Sequence, residues 1–238
     1  MSEAAAAFLR ARRRPLELVI FDCDGVLIDS EPVCNRVVAE ILTQDGWPMT
    51  ANECEQRFIG MSFYTMQPQI EAHLGRSLGQ DWVNRVVAVV TDAMAREVEP
   101  VAGARDALDA VTAMGLKWRI ASNSSHIEMA AKFGRAGWLE LVDGRLHSSV
   151  DVIALGGQGK PAPDLFLAAA AAEPVAPAHC LVIEDSVHGA NAARAAGMDC
   201  LGFAAHNDGA ALRAAGAVPF HSMHDLPALL RASVACPF

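Results

Sequence analysis

Hydrophobic positions fall into two periods along this chain. The run "LELVIF" (16–21) is almost continuously apolar, as expected of a strand buried on both faces, and it stops at Asp22, Asp24 and Gly25. Similar runs recur at "KWRIAS" (117–122), "CLVIED" (180–185) and "DCLGF" (199–203). Alanine-rich segments of helical character lie between and after them, among them "DLFLAAAAA" (164–172) and "HGANAARAAGM" (188–198). Strands alternating with helices predict an α/β chain with a Rossmann-like parallel sheet covered on both faces. In such sheets ligands bind beyond the carboxyl ends of the strands.

One interval breaks the alternation. Between the first strand and "KWRIAS" the pattern predicts helices over 32–45, 51–58, 62–74, 80–98 and 104–115, with breaks at "GWP", "IGMS", "LGRSLG" and "EPVAG". The last of these leads into the second strand. The others predict an all-helical domain inserted into the sheet domain. The expected division is an N-terminal extension (1–15), an α/β core (16–30 and 100–238) and a helical insertion (31–99), joined near Ser30–Glu31 and Pro100–Gly103.

Composition narrows the function classes. At 238 residues, 52% hydrophobic and 20% charged, the chain can bury a substantial core. A formal charge of -9 argues against a general nucleic-acid or anionic-membrane binder. It leaves room for an anionic substrate, because a metal site can reverse the local field. Cys23, Cys34, Cys54, Cys180, Cys200 and Cys236 show no metal-ligand spacing. They read as reduced thiols, mostly buried, of a cytoplasmic protein. No apolar run reaches the length of a membrane span. The head "MSEAAAAFLRARRRP" has arginines but no apolar stretch after them, so it is expected to be a frayed amphipathic tail, or else an organelle transit peptide.

The candidate chemistry sits at the strand ends. In an extended chain Asp22 and Asp24 face one side and Cys23 the other. Two carboxylates ~4 Å apart repel by roughly 4 kcal/mol at an effective dielectric of ~20, so a cation or a reaction must justify them. An EF-hand is ruled out, because Val26 occupies a ligand position, the glycine comes early and a strand precedes. Glu184 and Asp185 end another predicted strand. If both strands are central, four carboxylates converge and imply a hard divalent cation with oxygen ligands, with Mg²⁺ the expected ion. Lys160 in "GKPAPDLF" is one of only three lysines, stiffened by Pro161 and Pro163, and its ammonium suits both a nucleophile and a phosphate oxygen. Ser122 and Asn123 end "WRIAS" ahead of a helix, where hydroxyl, amide and backbone N–H groups form a phosphate cradle.

Taken in order, "FDCDGVLIDSE", "IASNSS", "GKPAPDLF" and "LVIEDSVHGANAARAAGM" resemble the four motifs of the haloacid dehalogenase-like superfamily. The resemblance covers roughly residues 16 to 230. It is strongest to the branch with a helical cap after the first strand, which holds sugar phosphatases, phosphoglycolate phosphatases and β-phosphoglucomutases, and within it to bacterial sugar-phosphate phosphatases of the 6-phosphogluconate type. It implies hydrolysis of a small phosphorylated metabolite. Asp22 would be the nucleophile and Asp24 the general acid and base. Ser122, Asn123 and Lys160 would hold the phosphoryl oxygens. Asp22, Asp185 and the backbone carbonyl of Asp24 would hold Mg²⁺, with Glu184 acting mainly through a bound water.

Substrate choice would fall to the cap, where Glu31, Arg57 and Ser62 are candidates. Asp24 argues against the haloacid dehalogenases themselves, which generally lack a second aspartate. Phosphonoacetaldehyde hydrolases need a cap lysine, and no lysine precedes Lys117. The mutases carry an arginine after the cap turn, whereas here Gly60-Met61-Ser62 is followed by Phe63. The expected protein is therefore a phosphatase, a monomer or weak homodimer. A phosphosugar mutase or an inactive binding module of the same fold are the alternatives.

Overall fold

The computed structural model describes residues 2–58 and 61–234, except for the side chains of 232–234. In chain order its strands are β1 (Leu18–Phe21), β2 (Ile28–Asp29), β3 (Glu99–Pro100), β4 (Lys117–Ser122), β5 (Leu146–Ser148), β6 (Cys180–Glu184), β7 (Asp199–Phe203) and β8 (Val218–Phe220). Six of them form one parallel sheet in the order β5-β4-β1-β6-β7-β8. This is the α/β Rossmann-like core that the apolar runs predict. The four predicted strands are its centre. Its edges, β5 and β8, are three residues each and carry too little apolar sequence to stand out. Pro219 sits in β8, an edge strand, where a missing N–H is tolerated.

Strand alternation divides the core in two. Val19 and Phe21 of β1 join Trp118, Ile120, Leu181 and Ile183 on one face of the sheet. Leu18 and Ile20 join Ala121, Val182 and the helices α10 (Asp164–Ala171) and α11 (Val187–Ala195) on the other. Burying each large aliphatic or aromatic side chain contributes about 1.5–3 kcal/mol, which is why the central strands need no polar face.

Between β2 and β3 the chain forms α2 (Glu31–Gln44), α3 (Ala51–Phe58), α4 (Phe63–Leu74) and α5 (Trp82–Glu97). The predicted helices match these within two residues at each end. The bases of the insertion meet in the antiparallel pair β2–β3, with Ile28 opposite Pro100 and Asp29 opposite Glu99. That ribbon was not foreseen, because two-residue strands have no periodicity. Helix α5 packs along α7 (His126–Ala136), which follows β4. Gly60 of the turn before α4 lies outside the described residues, as does Cys236.

The expectation of a frayed N-terminal tail is corrected. Residues Glu3–Arg10 form a helix, α1, capped by the Ser2 side chain, with Ala5, Ala6 and Leu9 buried against the C-terminal helix α13 (Leu226–Val234) and β8. The Arg12 side chain is almost fully buried and ion-paired with Asp199 at the start of β7. Alanines carry a weak hydrophobic signal, so the sequence understates how well this face packs. Cys23, Cys54, Cys180 and Cys200 are buried and Cys34 half-buried, all as free thiols. No helix among the described residues is long and apolar enough to cross a membrane.

Candidate active site

The parallel register decides which side chains meet. Phe21 is level with Ile120 on β4 and Ile183 on β6, so the next residue, Asp22, lies beside the ends of both neighbours, where Ser122 and Glu184 stand. Asp22 is buried, and its N–H donates to the Ile183 carbonyl at 2.9 Å. Immediately after it the chain turns. Gly25 adopts φ +73°, and a Cβ there would overlap the Asp185 carboxylate, so only glycine lets the loop approach. The N–H groups of Leu27 and Ile28 close the loop on the Cys23 carbonyl at 3.0 and 2.9 Å.

Lys160 arrives from the loop before α10 and is buried among acceptors. Its Nζ donates to Asp22 Oδ1 at 2.5 Å, to Glu184 Oε1 at 2.6 Å and to the Ala121 carbonyl at 2.9 Å. It also lies 4.8 Å from the centre of the Phe166 ring. Burial alone would lower the ammonium's pKa, but Asp22 and Glu184 outweigh it and hold it above its usual value. The N–H of Lys160 donates to Asn123 Oδ1 at 3.2 Å, so Asn123 ties the lysine's loop to the end of β4.

The acidic groups divide into two sets. Carboxylate oxygens of Asp22, Glu184 and Asp185 lie within 4.8 Å of one another. Burial, then Glu184 and Asp24, push Asp22 up to about 7 against the opposing pull of Lys160. Burial, then Glu184 and Asp22, raise Asp185 well above the carboxylate range. Such a strained set of oxygen donors fits a hard divalent cation, which would relieve the repulsion. Glu184 is the least available of the three. Its Oε2 already accepts from the N–H groups of Asp185 and Ser186 and from Ser186 Oγ at 2.9–3.0 Å, while Lys160 holds Oε1. Gly189 makes room for it, since a Cβ there would overlap the Glu184 carboxylate.

The Asp24 carboxylate forms the second set. Its Oδ1 accepts from Ser30 Oγ at 2.5 Å and from Lys132 Nζ at 2.6 Å. Its Oδ2 accepts from Ser124 Oγ at 2.9 Å and Ser122 Oγ at 3.3 Å. Burial is the largest single influence and acts upward, but Lys132 and the Ser30 and Ser124 hydroxyls bring Asp24 below its ordinary value. Lys132, Ser124 and Ser30 were not singled out in the sequence. For Lys132 a signal existed: Met129, Lys132 and Phe133 share the buried face of α7, and a lysine on such a face needs a partner.

Of the expected cap residues, Glu31 stands at the start of α2, beside Ser30. Partial desolvation, then Glu55, Asp24 and Asp29, push its carboxyl up, which puts it within electrostatic reach of the site. Ser62 is exposed and spends its hydroxyl capping α4, accepting from Thr65 N–H at 3.3 Å. The Arg57 guanidinium lies 4.8 Å over the Trp47 ring inside the insertion. Neither shows a contact with the strand-end residues.

A sheet with acidic residues at the ends of its central strands, a buried lysine between them and a helical insertion after β1 defines a hydrolase fold of one class. A family model for haloacid dehalogenase-like hydrolases matches residues 16–197. The chain belongs to that family and is an enzyme of it. It is 31% identical over 195 residues to a 6-phosphogluconate phosphatase of Escherichia coli, covering 81% of this chain and 85% of the relative. It is 30% identical over 209 residues to a phosphorylated carbohydrates phosphatase of Thermotoga maritima, covering 85% and 93%. Among solved structures, a haloacid dehalogenase-like protein of unknown function from Agrobacterium tumefaciens superposes with a TM-score of 0.79 at 34% identity, covering 91% of this chain and 98% of that one.

Proposed function

We propose that this protein is a Mg²⁺-dependent phosphatase of the cytoplasm that hydrolyses a sugar or sugar-acid monophosphate through an aspartyl-phosphate on Asp22. One observation carries the reading: Asp22 is buried at the end of β1 with one oxygen fixed by Lys160 at 2.5 Å, which leaves its other oxygen for attack. The substrate class rests on the names of the relatives and on the sequence motifs.

In the first step Asp22 attacks phosphorus, the bond to the sugar oxygen breaks, and Asp24 in its protonated form gives that oxygen a proton. In the second, Asp24 takes a proton from water, water attacks the aspartyl-phosphate, and phosphate leaves with Asp22 restored. Ser122 and Asn123 would hold the phosphoryl oxygens, and the charge of Lys160 beside Asp22 would offset the charge that develops there. Asp22, Asp185 and the Asp24 carbonyl would hold Mg²⁺, with Glu184 behind a water. The ion, when bound, supplies positive charge to the phosphoryl oxygens. Helices α2–α5 act as a cap that excludes water while the substrate is aligned.

The test is release of phosphate from p-nitrophenyl phosphate with and without Mg²⁺, followed by a panel of phosphorylated metabolites. Turnover confined to the metal-loaded protein, with sugar or sugar-acid monophosphates leading the panel, is the expected result. An inert protein would instead point to a binding module on the same fold.

A further inference from the structure

The site holds a second buried cation that the phosphatase chemistry just described does not use. Lys132 is 1% exposed, and its helix α7 presents it between Met129 and Phe133. A buried ammonium in an apolar setting is costly unless it is paired. Both of its hydrogen bonds to side chains serve the Asp24 side of the site: Asp24 Oδ1 at 2.6 Å and Ser124 Oγ at 2.8 Å. Ser124 in turn donates to Asp24 Oδ2 at 2.9 Å. The three groups form a closed ring in which Lys132 grips Asp24 directly through one oxygen and indirectly through the other.

We propose that Lys132 is a positioning residue for Asp24, which orients the general acid and base of the reaction. The hydrogen-bond inventory fixes which carboxylate oxygen works. An ammonium only donates, so Oδ1, shared by Lys132 and Ser30, stays an acceptor throughout. The hydroxyls of Ser122 and Ser124 facing Oδ2 donate or accept by rotation. Proton exchange with the sugar oxygen and with water therefore runs through Oδ2, the oxygen on the Ser122 side. Each aspartate has its own lysine. Lys160 serves attack and Lys132 serves proton transfer.

The inference rests on the phosphatase reading, and leaving-group dependence separates the two. p-Nitrophenolate leaves without a proton, whereas the alkoxide of glucose 6-phosphate needs one. Lys132→Met should lower turnover of glucose 6-phosphate by about 100-fold, the scale of general acid catalysis. The first turnover of p-nitrophenyl phosphate should slow far less and appear as a stoichiometric burst of p-nitrophenolate, followed by a slow steady phase, because hydrolysis of the aspartyl-phosphate still needs Asp24 as base. Ser124→Ala, which removes a neutral hydroxyl and keeps the ion pair, should show the same selectivity at smaller size, and it covers the case in which Lys132→Met does not fold. Adding Lys132→Met to Asp24→Asn should cost little more than Asp24→Asn alone. Equal losses in the first turnover of both substrates with no burst, or additive losses in the double variant, overturn the role of Lys132. A wild-type protein that cleaves neither substrate overturns the phosphatase reading itself.

Discussion

Asp22 and Asp24 leave the same strand one residue apart, yet their carboxylates are bound by different buried lysines: Asp22 by Lys160 at 2.5 Å and Asp24 by Lys132 at 2.6 Å. This separation answers the electrostatic problem that the sequence poses. The repulsion between the two groups is offset twice, by Lys160 and by Lys132, and each aspartate is free to take a different role.

Metal removal gives the first prediction. EDTA should abolish phosphatase activity and Mg²⁺ should restore it. Ca²⁺ should bind without supporting turnover, because its larger and looser shell disturbs in-line geometry. Because Asp22, Glu184 and Asp185 crowd one another, Mg²⁺ should also raise the Tm. Asp185→Asn should remove that rise, as read by calorimetry. Full activity after exhaustive chelation would contradict the metal site.

Gly189 tests the wall behind the acidic cluster. Gly189→Ala would drive a methyl group into the Glu184 carboxylate and disturb its bond to Lys160. A loss of at least about tenfold in kcat is expected, in line with the sensitivity of catalysis to ångström-scale misplacement. Gly197→Ala is the control, since no atom lies within 4 Å of a Cβ there, although its positive φ makes some loss of stability unavoidable. Normal kcat in Gly189→Ala would mean that Glu184 is not held where the fold puts it.

The N-terminal helix should matter for stability and not for chemistry. Arg12→Ala leaves Asp199 without its partner and should cost roughly 1–3 kcal/mol, seen as a lower denaturation midpoint with kcat nearly unchanged. No effect on the midpoint would mean that the segment is an appendage.

Phosphatase and mutase differ in what the cap must hold. A mutase grips a second phosphate, and burying that dianion unpaired costs several kcal/mol. The insertion has no lysine, Phe63 starts α4 where the mutase arginine is expected, and Arg57 lies over Trp47. With β-glucose 1-phosphate and a trace of the 1,6-bisphosphate, inorganic phosphate should form faster than glucose 6-phosphate. The opposite order would reverse the assignment.

The sequence announces the centre of this protein better than its margins. β1, β4, β6 and β7 are apolar runs, β1 stopping just before Asp22 and the others ending in Ser122, Glu184 and Phe203. The edge strands β5 and β8 and the β2–β3 ribbon are too short to carry a period. The nearness of Asp22 to Glu184 could be read from their positions at strand ends, and that of Lys160 from its stiffened loop and the four-motif pattern. The pairing of Lys132 with Asp24 could not, because it joins residues 108 apart through the packing of one helix. The Ser62 hydroxyl shows the reverse case: a motif position read as substrate-facing spends its hydrogen bond on a helix cap.

The central claim is that Asp22 carries the phosphoryl group, and one measurement addresses it directly. Asp24→Asn protein, in which slower release of the intermediate is expected, is mixed with p-nitrophenyl phosphate and Mg²⁺, quenched in acid and mapped by peptide mass spectrometry. The expected result is one added phosphoryl group on the peptide containing Asp22, absent when Asp22 is replaced by Asn. A phosphoryl group on any other residue, or Asp22→Asn protein that keeps a tenth of wild-type turnover, would contradict it.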